Sequence, residues 1–377
     1  MKNVQPKRAT LKDIARKAGV SSTAVSLVLN NKPNRFTEET CDLIRSIAED
    51  MHYLPNQTAR SLATQSSSLL ALIIPDIENL FFASLAKHME NECRRQGYSL
   101  LIVDTSEDVN EQSSAISRVT QLGIDGLFIV PTFGTAEYNA QLLDELASTH
   151  VPVVFIDRIP EQINQGVADR KWRALAYDHS VGGRLAAQHL IRSGHTKIGV
   201  IGPVKRHALD SGNNTADNSV EITADNSVEI TADNSVDHSA RFEAFLDELA
   251  AHNIVPQDDW IIDSGFSLAQ GYNFADNLLH AGVSAVFCGN DLIAVGFLRR
   301  AREQGYAVPA DISLIGYDDV MGAFGLDFEL TTIRQDVEQL AKRSCEMMLD
   351  AAYVDSGQGN VVLLKPELSE GYSVAKV

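Results

Sequence analysis

Three polar pairs follow apolar runs in this chain: Asp157-Arg158 after 151–156, Asn290-Asp291 after 285–288, and Asp318-Asp319 after 312–317. Carboxylates and amides so placed can exchange paired hydrogen bonds with neighbouring hydroxyls, and a phenylalanine face can pack the C–H groups of a ring. In open α/β sheets such groups gather in the crevice at the carboxyl ends of the strands. An acid after a strand is more often a helix cap or a turn residue, and the residues alone leave both readings open. Catalytic signatures are missing: there is no Gly-x-Ser-x-Gly, no phosphate-binding loop and no Gly-x-Gly-x-x-Gly after a strand. Cys41, Cys93, Cys288 and Cys345 lie far apart, and the ten histidines show no metal-ligand spacing. His189 and His195 read as surface or structural residues. No enzyme, metal or cofactor is expected, and the thiols should be reduced and mostly buried.

A second group of residues could contact nucleic acid. Thr10 and Asp13 have the spacing of a capping box, and Leu11, Ile14, Ala15 and Ala18 then share one helical face. Gly19 supplies a turn. Ser21 is a natural N-cap for a second helix, in which Val25, Val28 and Leu29 face inward and Ser22, Thr23, Ser26 and Leu27 face outward, up to Asn30. This is helix-turn-helix grammar, whose second helix enters the DNA major groove. A third helix opens at Thr37-Glu-Glu, with Cys41, Ile44, Ala48 and Met51 on one stripe, and ends before Pro55. A serine run at 66–68 reads as a linker.

The elements that must position these groups follow from length, charge and periodicity. A chain of 377 residues with 44% hydrophobic content suggests two or three globular domains. Residues 1–62 hold ten Lys/Arg and six Asp/Glu, a net of +4 on a chain of −18, so the remainder carries −22. A basic head on an acidic body fits a molecule that meets phosphate at one end only. No apolar run approaches the roughly 20 residues of a membrane span, and the N-terminus has no apolar leader. A cytoplasmic protein is expected, and a secreted solute-binding protein is disfavoured. Beyond residue 68, strand-like runs at 69–77, 99–104, 126–130, 151–157, 198–201, 260–263, 285–288 and 312–317 alternate with helical stripes at 81–95, 110–121, 183–192, 239–251, 271–281 and 293–304. That repetition predicts parallel sheets covered on both faces.

With these residues in view, the chain resembles the lac repressor/galactose repressor family of transcriptional regulators. The resemblance rests on Leu11-Lys-Asp-Ile-Ala15, Val20-Ser, Val28-Leu-Asn30, Tyr53-Leu-Pro-Asn56 with Ala59 and Leu62, Val154-Phe-Ile-Asp-Arg158, Asn290-Asp291 and Ile315-Gly-Tyr-Asp-Asp319. It covers nearly the whole chain except 213–236. It implies a small all-α helix-turn-helix head at 1–55 and a hinge helix and linker at 56–67. The α/β core would be two-lobed and periplasmic-binding-protein-like, with one lobe from 68–176 and 335–364 and the other from 177–334 and 365–377.

By the same resemblance, Thr10, Ser21, Ser22, Thr23, Ser26, Leu27, Asn30, Ala59 and Leu62 contact DNA, Leu62 as an apolar wedge in the minor groove. Family members usually carry Arg where this chain has Leu27. Arg bonds guanine bidentately, whereas Leu offers only apolar contact, so the half-site should differ there. The resemblance tips Asp157, Asn290 and Asp318 towards ligand binding and adds Phe81, Phe82, Arg241 and Phe266. Asp291 and Asp319 stay as caps or turn residues. A repressor of carbohydrate-utilisation genes is therefore expected, dimeric on a pseudo-palindromic operator and governed by a sugar or sugar phosphate. A purine is the alternative effector, and a sugar-modifying α/β enzyme the alternative activity. The helices at 82–95 and 293–304 would form the dimer face, and no leucine heptad follows to build a tetramer.

One tract lies outside the resemblance. Thr215-Ala-Asp-Asn-Ser-Val-Glu-Ile222 recurs at 223–230 and partially at 231–236. Its acidity and lack of a glycine turn favour a mobile loop beside the ligand pocket. The alternative is a hairpin setting Ile222 opposite Ile230 and Ala224 opposite Val228.

Overall fold

The computed structural model describes residues 9–30, 32–33, 35–53, 66–160, 163, 172–204, 221–222, 228–229, 239–324, 329–349 and 361–377. The chain divides into two compact units, Met1–Ser67 and Ser68–Val377.

The first unit contains α1 (Leu11–Ala18), α2 (Ser22–Leu29) and α3 (Glu38–Asp50). Thr10 and Asp13 form the reciprocal capping box at the start of α1, and Gly19, at φ 68°, ends that helix in the left-handed region where glycine has no Cβ penalty. The Ser21 hydroxyl accepts from the Ala24 amide and caps α2, and Thr37 caps α3 through Thr40. Ile14, Val25, Val28, Cys41, Ile44 and Ala48 close the core between the three helices. Residues 54–65, with Ala59 and Leu62, lie outside the described residues.

The second unit is built from two α/β/α lobes. In the first, β1 (Leu69–Ile74), β2 (Ser99–Asp104), β3 (Gly126–Ile129), β4 (Val153–Ile156), β5 (Trp172–Tyr177) and β13 (Val361–Leu364) run parallel in the order β2-β1-β3-β4-β5-β13. Side chains alternate across this sheet. Leu70, Leu72, Phe128, Val154 and Leu175 pack under α4 (Leu80–Arg95) and α11 (Val337–Leu349). Ala71, Ile73, Leu127, Phe155 and Ala174 pack under α5 (Val109–Gln121) and α6 (Ala136–Thr149). The second lobe orders β6 (Ile198–Gly202), β9 (Ile261–Asp263), β10 (Ala285–Cys288), β11 (Ser313–Asp318), β12 (Thr331–Arg334) and β14 (Glu367–Ser369) as β14-β12-β11-β10-β6-β9, with β14 antiparallel. One face is covered by α7 (His179–Arg192) and α8 (Ser239–Ala251), the other by α9 (Leu268–Ala281) and α10 (Asp291–Glu303). Apart from the repeat tract, the chain passes between the two sheets after β5, after β12 and after β13.

The four cysteines are buried and unbridged. His195 is a buried structural residue, with Nδ1 2.9 Å from Ser284 Oγ and Nε2 3.1 Å from the Ala375 carbonyl. Among the described residues no helix is long and apolar enough to cross a membrane.

Two sequence expectations need correction. The periodicity reading passed over α6, α11 and the strands β5, β12, β13 and β14. Arg173 interrupts β5, and β12 and β14 hold one apolar residue each, so no apolar run marks them. The repeat tract is not simply a loop beside the pocket. β7 (Glu221–Ile222) and β8 (Val228–Glu229) pair antiparallel, with Ile222 opposite Val228 and Glu221 opposite Glu229. Neither the loop nor the Ile222–Ile230 register describes this. β8 also pairs antiparallel with β13 of the first lobe, setting Val228 opposite Leu363. A two-stranded ribbon is marginal alone, but the open edge of β13 offers it a row of backbone partners.

Candidate functional site

In the head, α2 presents the surface that helix-turn-helix grammar assigns to DNA. Ala24, Val25 and Val28 are buried, Ser22 and Thr23 are exposed, and Ser26 and Leu27 are half-buried. α2 carries no charged side chain, so it offers hydroxyls, one apolar group and the positive end of its own dipole. Three of the proposed contact residues are already engaged locally. Thr10 donates to the Asp13 carboxylate, the Ser21 oxygen is the cap, and the Asn30 amide donates to the Ser26 carbonyl at 2.8 Å.

In the core, the carboxyl ends of both sheets face one cleft. Its lining includes all seven residues singled out from the sequence, Phe81, Phe82, Asp157, Arg241, Phe266, Asn290 and Asp318, together with Asn79, Arg158 and Gln335. It is narrow: the centre of a water-sized sphere has about 20 Å³ in which to move. Two helix N-termini shape it. Asn79 caps α4 through the Phe81 amide, and Asn290 caps α10 through the Ile293 amide at 2.9 Å. The Asn290 side chain also donates to the Phe266 carbonyl at 3.0 Å, which ties the aromatic to the cleft floor. Phe81 and Phe82 meet edge to face at 5.4 Å, and both also belong to the first-lobe core.

The acids are strained and dry. Asp157 and Asp318 sit at φ 66° and 104°, in the left-handed region that a non-glycine residue adopts at a cost. Burial pushes both carboxyls up from the usual carboxylate range, and the nearby Arg241 opposes it in each case. Asp318 Oδ1 accepts from Gln335 Nε2 at 2.8 Å, and Gln335 Oε1 has no hydrogen-bond partner among the described residues.

Arg241 donates to the Gly289 carbonyl at 2.6 Å and to His179 Nδ1 at 3.2 Å, and its guanidinium lies 3.7 Å from the Tyr317 ring centre. The Tyr317 hydroxyl is also 3.1 Å from His179 Nδ1. Burial, then the charges of Arg241 and Arg158, hold His179 well below its ordinary pKa, so the ring is neutral. With Nδ1 accepting, the proton sits on Nε2, 4.0 Å from Asp157 Oδ1. Arg158 is tied back by a bidentate pair with Glu107 at 2.9 and 3.1 Å and by the Pro131 carbonyl at 2.9 Å. Thus each arginine of the cleft has an internal commitment.

Asp291 and Asp319 are not among the lining residues. Asp291 accepts from the Thr332 hydroxyl at 2.7 Å and the Val320 amide at 3.0 Å, pinning α10 to β12, and burial pushes it up to about 7. Asp319 is half-buried beside Arg334. Sequence reasoning missed Asn79, Gln335 and the His179–Tyr317 pair as site residues. Asn79 could have been found as the cap before the Phe81-Phe82 helix. Gln335 follows β12, whose Thr331, Thr332 and Arg334 leave no apolar run to mark it. Among the described residues, no group of three or more His, Cys, Asp or Glu side chains could hold a metal ion.

Comparison with known proteins agrees with this architecture. The family described as bacterial regulatory proteins, lacI family, matches residues 10–56, and the periplasmic binding protein-like domain matches residues 187–374. The chain is 31% identical to the HTH-type transcriptional repressor PurR of Pectobacterium atrosepticum over 372 residues, 97% of each chain. It is 32% identical to PurR of Serratia proteamaculans over the same span. The structure of the lac repressor dimer bound to operator and the anti-inducer ONPF superposes with a TM-score of 0.77 at 23% identity, covering 98% of this chain and all of that one; this likeness is one of fold. The sequence match over almost the full length, with a helix-turn-helix head and a two-lobed core in place, makes this chain a member of the lacI family of bacterial regulatory proteins: a DNA-binding transcriptional repressor with a small-molecule-binding core.

Proposed function

We propose that this repressor is cytoplasmic, binds a pseudo-palindromic operator as a homodimer, and is governed by an uncharged sugar-like effector held between its lobes. It controls genes of carbohydrate use and catalyses no reaction. The observation that carries the effector class is the cleft itself. Asp157, Asp318, Asn290 and the Gln335 carbonyl oxygen converge there with Phe81, Phe82 and Phe266. Such a set supplies acceptors for adjacent hydroxyls and aromatic faces for ring C–H groups.

The charge distribution argues against a sugar phosphate. Arg158 is neutralised by Glu107, Arg241 is spread over a carbonyl, an imidazole and a tyrosine face, and two carboxylates face the same space. A phosphate would have to displace these existing partners of both guanidiniums. A purine is the second reading. It is favoured by the curated relatives bearing the name PurR and by the near-parallel Phe133 and Phe266 rings, 6.5 Å apart.

In the head, the reading assigns base contacts to Ser22, Thr23, Ser26 and Leu27 and backbone contacts to Thr10, Ser21 and Asn30. Ala59 and Leu62 belong to a hinge that reaches the minor groove. A thermal-shift panel of neutral sugars, sugar phosphates and purine bases tests the effector. A ligand at about 100 times its dissociation constant should stabilise the protein by roughly 2.7 kcal/mol. The expected hit is a neutral sugar, and Asp318→Asn should abolish the shift. A response confined to phosphates or purines would overturn the sugar reading.

A further inference from the structure

One set of contacts at the cleft belongs to neither the lining nor the DNA-reading surface. Phe133 lies four residues beyond the end of β3 and is 43% exposed, yet its ring touches two residues that do line the cleft. The Arg158 guanidinium stands 3.7 Å from the ring centre. Phe266 of the second lobe stacks with the same ring, with centroids 6.5 Å apart and planes 20° from parallel. Phe266 in turn has the Arg241 guanidinium 5.7 Å from its centre. The sequence Arg158, Phe133, Phe266, Arg241 therefore alternates cation, ring, ring and cation across the two lobes, with each half assembled by its own lobe.

The first half is rigidly backed. Arg158 is buried, takes the Glu107 carboxylate bidentately and donates to the Pro131 carbonyl two residues before Phe133. A guanidinium fixed in this plane presents one flat face to a ring. The second half is backed by the Asn290 amide, which holds the Phe266 carbonyl. The cleft behind the two rings has room for little more than one water. A ring-sized effector needs more, so the rings must part before it enters.

We propose that Phe133 is the first lobe's half of an aromatic clamp that closes on Phe266 at the rim of the cleft, held in place by the Arg158–Glu107 pair, and that this clamp sets the balance between closed and open lobes. The consequence for effector exchange rests on the cleft being the effector site, whereas the clamp itself does not. Stacking across the rim joins these two halves, so removing either ring releases the same restraint.

The test needs no effector. Nitroxide labels on Ile77→Cys and Leu268→Cys, two exposed rim positions on opposite lobes, report their separation by pulsed electron resonance in the full-length chain, diluted with unlabelled protein. The native cysteines are buried. Phe133→Ala should lengthen the separation. Phe266→Ala should lengthen it to the same extent, the double variant no further, and Phe133→Tyr, which keeps a ring, should leave it unchanged. Glu107→Gln, which leaves the aromatic pair intact, should lengthen it partially. An unchanged separation in Phe133→Ala, or single effects that add in the double variant, overturns the clamp. Failure of the ligand panel would instead count against the effector reading and leave these distances unaffected.

Discussion

Asp291 shows how one buried carboxyl gives the core a pH dependence of its own. Its folded pKa of about 7 lies well above the unfolded value near 4. The unfolded chain therefore releases this proton first as pH rises. Stability from this group is intact below about pH 4 and declines until pH passes about 7, after which it is level. Asp291→Asn keeps an acceptor for the Val320 amide and cannot ionise. Its melting temperature relative to the parent should be more favourable at pH 8 than at pH 5. A difference that is the same at both pH values would mean that Asp291 is not the group responsible. Leu27 makes the corresponding point for DNA. It is half-buried on α2 among hydroxyl residues, so at its base pair it can read little beyond an apolar group. Leu27→Arg should shift preference by roughly 1–3 kcal/mol at one base pair per half-site. A randomised-operator selection that returns the same sequence from both proteins would refute the assignment.

At the scale of elements, caps and strand ends do most of the positioning. Ser21 starts the DNA-reading helix, and Asn79 and Asn290 start the helices that flank the cleft. Ser21→Ala should destabilise the head by about 1 kcal/mol and weaken operator binding while leaving the core's melting unchanged. Equal loss in both units would show that the cap acts on more than its own helix. Ser21 was legible as a cap because Ser before an apolar stripe is a local signal; Asn79 and Asn290 carry the same signal but were not read as caps. The strand ends at Asp157, Asn290 and Asp318 were legible because the largely apolar runs 151–156, 285–288 and 312–317 precede them. β12 and β13 were not. They are four residues each and gain their identity from parallel neighbours far along the chain, which no local window contains. Gln335 was missed with β12, and His179 because a histidine opening a helix has no distinctive pattern. The ribbon of β7 and β8 was misjudged for a related reason. Its repeat has no turn signal, and what supports it is the open edge of β13, more than 130 residues away.

At the scale of the molecule, a basic head, an acidic body and a two-lobed core form a device whose DNA affinity a small molecule can alter. The two lobes are joined by three chain crossings, by the β7–β8 ribbon that follows β6 in the chain yet pairs with β13, and by side chains that meet across the cleft, such as Asp157 with His179 and Phe133 with Phe266. An effector that favours one lobe arrangement shifts the operator affinity by its differential affinity for the two, and no more. Couplings of this kind are about 1–3 kcal/mol, or roughly 5- to 150-fold. The most direct test is a fluorescence-anisotropy titration of the full chain on an operator recovered by selection from random DNA, with and without the ligand found by thermal shift. Sequence-selective binding whose affinity changes by at least about fivefold with the ligand, in a response that Asp318→Asn removes, is the predicted result. Binding that is selective but indifferent to every sugar and purine offered, or a response that survives Asp318→Asn unaltered, would contradict the assignment of this cleft as the control site.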